Sequence, residues 1–275
     1  MSNPPERKKQ HYVPRMYLKR WENTTGMLNI ISKDDELHIP KMVSSDSELF
    51  YTDYTYDIIM PTGDSITNNE VEIELGKYET KHNRLLNRII ANCNADKPVF
   101  DKGTTRRIDF IEFVSLLIVR NPYNPIPVQI DGQTVPSSFF DVFFSELLEK
   151  EHSISGLQIV ANSMDGKLLF ASVEILKKLS IVGVSFLKAP EGCSFITSNN
   201  PVHYDYNSIH LPLSPDYYAY VLVNKEKTCK YPKNRVSVIS AETVKRINRF
   251  YWQDDSVRTI VGINTEDLLE SLGDN

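Results

Sequence analysis

Cysteine is scarce: Cys93, Cys193 and Cys229 lie far apart in a chain of 275 residues. An odd number without paired spacing argues against a disulfide framework and a zinc knuckle, and agrees with a reducing, cytoplasmic setting. Glycine numbers only 11 and no heptad pattern runs on, which removes collagen and coiled-coil arrays. No uninterrupted apolar stretch approaches the ~20 residues of a membrane-spanning helix, so no membrane partner is expected. The opening decapeptide MSNPPERKKQ is polar and basic with no apolar segment behind it, so a secretory signal is not expected. GxGxxG, Walker A, GxSxG and HExxH are all missing, which removes ordinary nucleotide hydrolases, serine esterases and zincins. No cofactor and no metal are called for. Basic residues are outnumbered, 31 against 36 acids, and a chain built to coat a duplex would be basic overall.

What is present is ordinary globular composition, 41% hydrophobic and 24% charged. The length fits one domain over 1–275, with 121–136 as the best candidate for a subdivision. A short helix is predicted to open at Pro14, and Leu28 to Ile31 and Leu37 to Val43 read as strands. Residues 44–69, rich in Ser, Thr, Asp and Tyr, read as an irregular connection. From Val71 to Ile89 apolar residues recur at four and three, one stripe on a helix of about five turns. A second helix spans about Thr104–Val119, with apolar residues around most of its circumference, as in a core helix. Further helices are expected over 137–150, 167–179 and 241–250. Short β-branched or aromatic runs at 181–187, 194–197, 209–213, 217–223 and 257–261 read as strands. The pattern is α+β: a central helical cluster packed with short mixed or antiparallel strands from both ends of the chain.

Charge is unevenly placed. Residues 7–20 carry Arg7, Lys8, Lys9, Arg15, Lys19 and Arg20 and no acid, a local feature that suits a small anionic partner. His11 lies three residues before Pro14, where a helix N-terminus would welcome an anion, and Arg15 in the first turn runs against the helix dipole unless an anion is near. The same segment also reads as a basic arm with a hydrogen-bonded histidine. Arg120 continues the apolar face of the second helix, so its guanidinium must be paired or face a ligand. Glu79, on the edge of the first helix's stripe, is its natural partner. The two form either a structural ion pair or a carboxylate base beside a phosphate-binding arginine. Thr197-Ser198-Asn199-Asn200-Pro201 is a turn that can also present donors to a ligand. His82 in its apolar stripe reads as a core histidine. His203 and His210, either side of Asp205, match no compact metal-ligand spacing.

HYVPRMYLKRW at 11–21, the helix with Glu79, the helix ending in Arg120, FITSNNPV at 195–202 and LPLSPD at 211–216, taken in order, resemble the bacterial domain-of-unknown-function family 4238. The resemblance runs from about Lys9 to Tyr251. The family pattern reads TSDNP where this chain has Asn199. Polar signatures spread over the arm, two helices and a loop imply one cleft lined by His11, Arg15, Glu79, Arg120 and Asn199.

The leading expectation is a metal-independent phosphodiesterase acting on RNA or a nucleotide. Such chemistry needs a base, an acid and cations for the developing charge. Glu79 would be the base and His11 the acid. Arg15 and Arg120 would hold the phosphate, Asn199 would orient the substrate, and Arg7, Lys8 and Lys9 would hold flanking phosphates. The resemblance suggests the context of a toxin or anti-phage effector. The alternative is a non-catalytic module that captures a small anionic ligand or nucleotide signal. A third reading makes Glu79–Arg120 purely structural.

Overall fold

The computed structural model describes residues 9–53, 70–100, 105–121, 123, 126–130, 133–137, 183–204, 208–222 and 231–273. Near the N-terminus, β1 (Lys9–His11) pairs antiparallel with β4 (Tyr51–Asp53), His11 facing Tyr51 in register. Between them come α1 (Arg15–Leu18), a 3₁₀ turn (Lys19–Trp21), β2 (Leu28–Ser32) and β3 (Lys41–Val43). The helix expected at Pro14 is therefore a single α-turn, with Pro14 as its cap. The strand expected over 37–43 shrinks to its last three residues, because His38 takes a left-handed φ of 47°. The connection expected to be irregular contains β4, three residues being too few to show a period.

Two long helices form the centre. In α2 (Glu70–Asn94) the stripe Leu75, His82, Leu85, Leu86, Ile89 and Cys93 is buried. It meets Phe110, Phe113, Val114 and Leu117 of α3 (Thr105–Arg120) in one apolar cluster. Most of α3 is enclosed, as its all-round apolarity predicts, but Ile108 is 55% exposed. His82 is buried, its Nε2 3.3 Å from Glu112 Oε2. After α3, the segment read as a boundary holds the hairpin β5 (Ile126–Ile130) and β6 (Gln133–Ser137), in register from Ile126↔Ser137 to Ile130↔Gln133. Of the helix expected over 137–150 only Ser137 is described, and it closes β6. The rest, and the helix expected over 167–179, lie outside the described residues.

The C-terminal part supplies β7 (Gly183–Lys188), β8 (Thr197–Ser198), β9 (His203–Tyr204), β10 (Ser208–Ser214), β11 (Tyr217–Leu222) and β12 (Val236–Val238). Then follow α4 (Ala241–Gln253), β13 (Thr259–Gly262) and α5 (Thr265–Leu272). The fold is α+β. A five-stranded sheet runs β12-β7-β11-β10-β9, antiparallel except for β12 beside β7. A four-stranded sheet runs β3-β2-β13-β8, so strands from the two halves of the chain lie side by side.

Both sheets are packed on both faces, and the side-chain alternation of strands assigns each residue to one side. Leu28, Ile30, Val184, Phe186, Tyr217, Ala219 and Val261 point into the core that holds α2 and α3. Ile31, Leu187, Tyr218 and Ile260 point into a second core closed by α4 and α5. Each closing helix is capped by a side-chain oxygen. Ser240 Oγ accepts from Thr243 N at 3.3 Å, and Asn264 Oδ1 accepts from Asp267 N at 2.9 Å. The sequence pattern did not reveal α5. Among the described residues no helix is long and apolar enough to cross a membrane.

This architecture fixes the N-terminal segment. Tyr17, Leu18 and Trp21 are fully buried. Tyr17 Oη lies 2.7 Å from both Thr197 Oγ1 and the Pro212 carbonyl, and Trp21 Nε1 donates to the Phe195 carbonyl at 3.2 Å. With those three anchored inward, Arg15 and Lys19 must face solvent, as their exposure shows.

Candidate functional site

His11, Glu79 and Arg120 are brought together. The Arg120 guanidinium is 2% exposed. Its Nη1 donates to Glu79 Oε1 at 2.9 Å, and its Nη2 donates to the main-chain carbonyl of His11. One arginine thus ties α2, α3 and β1. The contact to His11 is through its backbone and not its ring. Asn121, the next residue, donates from Nδ2 to the Asn199 carbonyl at 2.8 Å, which links the turn after β8 to the same helix end.

The His11 imidazole faces a residue that the sequence did not single out. Its Nε2 lies 3.2 Å from Asp46 Oδ1, Arg15 Nη1 is 3.7 Å from the same oxygen, and Lys9 Nζ is 3.9 Å from Asp46 Oδ2. Lys9 and His11 are two apart on β1 and so share a strand face. Asp46 stands on a tight turn, its own N–H bonded to Ser44 Oγ at 3.2 Å, between buried Ser45 and buried Phe50. An acid-free basic stretch at 7–20 was the one signal that a counter-charge must come from elsewhere. Nothing local marks Asp46 as its source.

Burial pulls the His11 pKa down to about 4. Asp46 opposes that shift, Arg120 adds to it, Glu79 opposes it and Arg15 adds to it. At neutral pH the ring is uncharged, so it has no imidazolium proton to give to a leaving oxygen, though it can accept one. The depressed value also fixes a pH dependence. The unfolded chain binds this proton below its ordinary value of 6.5, and the folded chain only near 4. The stabilisation is therefore complete above 6.5 and drains away as pH falls toward 4. Urea unfolding at intervals across that window is expected to show this decline, and His11→Gln to remove that part of it.

Asn199, expected to orient a substrate, has its side-chain oxygen engaged by the backbone. Asn199 is buried, and its Oδ1 accepts from Arg258 N at 2.9 Å and Thr259 N at 3.0 Å, pinning the start of β13. The turn closes on itself, Ser198 Oγ donating to the Asn200 carbonyl at 2.6 Å. The expectation of a helix N-terminus under the anion also needs correction: a one-turn α1 carries little of the dipole of a long helix. Arg7 and Lys8 lie outside the described residues.

Beside this cluster a cleft of about 500 Å³ opens between α1 with its 3₁₀ turn and α2. Arg15, Met16, Lys19 and Arg20 line one wall, and Glu79, Asn83 and Asn87 the other. The last three are spaced by four along α2 and so form one polar stripe next to the apolar one. That spacing was readable in the sequence. Arg20 crosses the cleft. It donates to the Met16 carbonyl, to Asn83 Oδ1 at 3.0 Å and to Asn87 Oδ1 at 2.8 Å. Burial lowers its pKa, with no carboxylate among the causes.

The two other candidate histidines are cross-strand partners on β9 and β10. His203 Nδ1 is 2.7 Å from Asp254 Oδ2, and His210 Nε2 is 2.8 Å from Ser208 Oγ. Among the described residues no three His, Cys, Asp or Glu side chains gather to hold a metal ion. In comparisons with known proteins, residues 9–266 match the model of the family described as "Protein of unknown function (DUF4238)". No curated protein and no solved structure matches the chain.

Proposed function

The chain belongs to the DUF4238 family, and from that premise, which carries no reaction with it, we propose that it binds a phosphate-bearing small molecule of nucleotide size in the cleft between α1 and α2. The observation that carries this reading is Arg20. Its guanidinium is half-buried, yet all its hydrogen bonds run to neutral acceptors. A cation withdrawn from water without a carboxylate is destabilised, and an incoming anion relieves that cost.

The surroundings support the same reading. Arg15 and Lys19 add two cations to the wall, while the one carboxylate of the cleft, Glu79, is engaged by Arg120. Guanidinium groups suit phosphate because they offer two parallel donors. Asn83 and Asn87 present Oδ1 to Arg20, which leaves their Nδ2 groups to donate to a guest. A volume of about 500 Å³ sits within the roughly 300–1,000 Å³ of small-ligand sites.

Calorimetric titration with adenosine monophosphate and with adenosine tests this. The monophosphate is expected to bind, with affinity falling as salt rises, and adenosine is expected not to bind. Arg20→Ala is expected to weaken the monophosphate by about tenfold or more, the worth of a charge-assisted hydrogen bond. Equal binding of adenosine, or unchanged affinity in the variant, overturns the assignment.

A metal-independent phosphodiesterase acting on RNA is a second reading, favoured by the 3.2 Å contact of His11 with Asp46 next to Arg120 and Glu79. In that reading the neutral imidazole takes the proton of the attacking hydroxyl. Turnover of RNA in the presence of chelator, in place of binding alone, would select it.

A further inference from the structure

Three basic side chains from two elements converge on one exposed carboxylate. Lys9, His11 and Arg15 each reach Asp46, at 3.9, 3.2 and 3.7 Å. A place where two cations and an imidazole converge this way is an anion position, whatever anion fills it. Asp46 is 38% exposed at its side chain and sits at the tip of a turn. The turn is held from below by buried Phe50, whose N–H donates to the Ser47 carbonyl at 3.1 Å, and by Ser45, whose Oγ donates to Glu22 Oε1 at 2.8 Å. The carboxylate can therefore leave the position by a side-chain rotation, with the turn staying in place.

Arg15 belongs to both places. It lines the cleft with Lys19 and Arg20, and it touches Asp46. Its side chain is 49% exposed and so is held by neither. A long guanidinium between two cationic positions is the arrangement that grips two neighbouring phosphates, one at each side of its fork.

On the reading that the cleft binds a phosphate-bearing ligand, we propose that Lys9, His11 and Arg15 form a second phosphate position, that Asp46 occupies it when no ligand is bound, and that the guest carries two adjacent phosphates, as a nucleoside diphosphate does. The first phosphate lies at Arg20 and Lys19. The second displaces the Asp46 carboxylate and takes over its three neighbours. Asp46 then acts as a built-in competitor that sets a threshold concentration for the guest. A ligand with one phosphate fills the Arg20 position and leaves Asp46 where it is.

Inorganic pyrophosphate and orthophosphate separate these cases, titrated into the wild-type chain and into Asp46→Ala and Asp46→Asn. Pyrophosphate is expected to bind Asp46→Ala about tenfold or more tightly than wild type, with orthophosphate nearly unchanged, since removing the competitor helps only the two-position guest. Asp46→Asn, which keeps the shape and removes the charge, is expected to shift pyrophosphate in the same direction by less. If both anions gain equally, Asp46 acts only through its general field and the second position is overturned. If neither gains while Arg20→Ala still weakens orthophosphate, the second position is overturned and the cleft assignment stands. If neither anion binds any of the proteins, both assignments fall.

Discussion

Arg120→Ala is expected to lower the stability of the fold by about 3–5 kcal/mol, read from urea unfolding at neutral pH. The side chain is 2% exposed, and its loss is felt in three ways at once. Glu79 loses its counter-ion at 2.9 Å, the His11 carbonyl loses its donor, and the junction of α2, α3 and β1 loses the volume of the guanidinium. Glu79→Ala reaches the same region from the other side, because it removes the carboxylate that faces a buried cation. The two changes share one interaction, so the double variant is expected to cost less than their sum. Arg120→Lys recovers only part of the loss, since one ammonium cannot reach a carboxylate and a carbonyl with the geometry of a planar fork. A stability within about 0.5 kcal/mol of wild type for Arg120→Ala, the range of ordinary surface changes, would show that the pair does not hold the elements together.

Asn199→Ala is expected to cost about 2–3 kcal/mol, because it removes the one oxygen that satisfies two main-chain donors. The N–H groups of Arg258 and Thr259 both end on Asn199 Oδ1, where β13 begins its pairing with β8. Asn199→Asp is expected to keep stability within about 1 kcal/mol at neutral pH, since a carboxylate oxygen accepts the same two bonds and does so with charge assistance. That equivalence would give an aspartate at this place a reason independent of catalysis: either side chain fastens the strand. A severe loss in Asn199→Asp with little loss in Asn199→Ala would reverse the argument and make the position one that must stay neutral for a ligand.

The sequence carried the large elements because they repeat. The stripe of α2 recurs through more than five turns, and α3 is apolar on nearly every side, so both helices and their mutual burial were legible. Tyr17, Leu18 and Trp21 stand at helical spacing after Pro14, but the helix there is a single turn and shows no repeat. Three-residue strands such as β1, β3 and β4 offer no period, and their pairing depends on partners far along the chain. The candidate site divides in the same way. Arg120 announced itself as a charge on an apolar face, and Glu79 as the carboxylate within reach of it. Asp46 lay unmarked in a polar connection. Arg20 and Lys19 were counted among a run of basic residues, with nothing to say which would stand over a cleft. Their role follows from where α1 lands against α2, and that is decided by Tyr17 and Trp21 docking on β8, β10 and Phe195.

That docking has a kinetic side. Tyr17 waits for a hydroxyl 180 residues downstream, Trp21 for a carbonyl 174 residues away, and Asn29 Nδ2 for a carbonyl 234 residues away. At roughly 5–20 residues per second of synthesis, the wait is on the order of ten to forty seconds. Throughout it, a tryptophan, a tyrosine and a basic arm stand exposed at the ribosome surface with no native seat. A chain so arranged folds late and from non-local contacts, which makes the segment around Tyr17 and Trp21 one in need of shelter during translation.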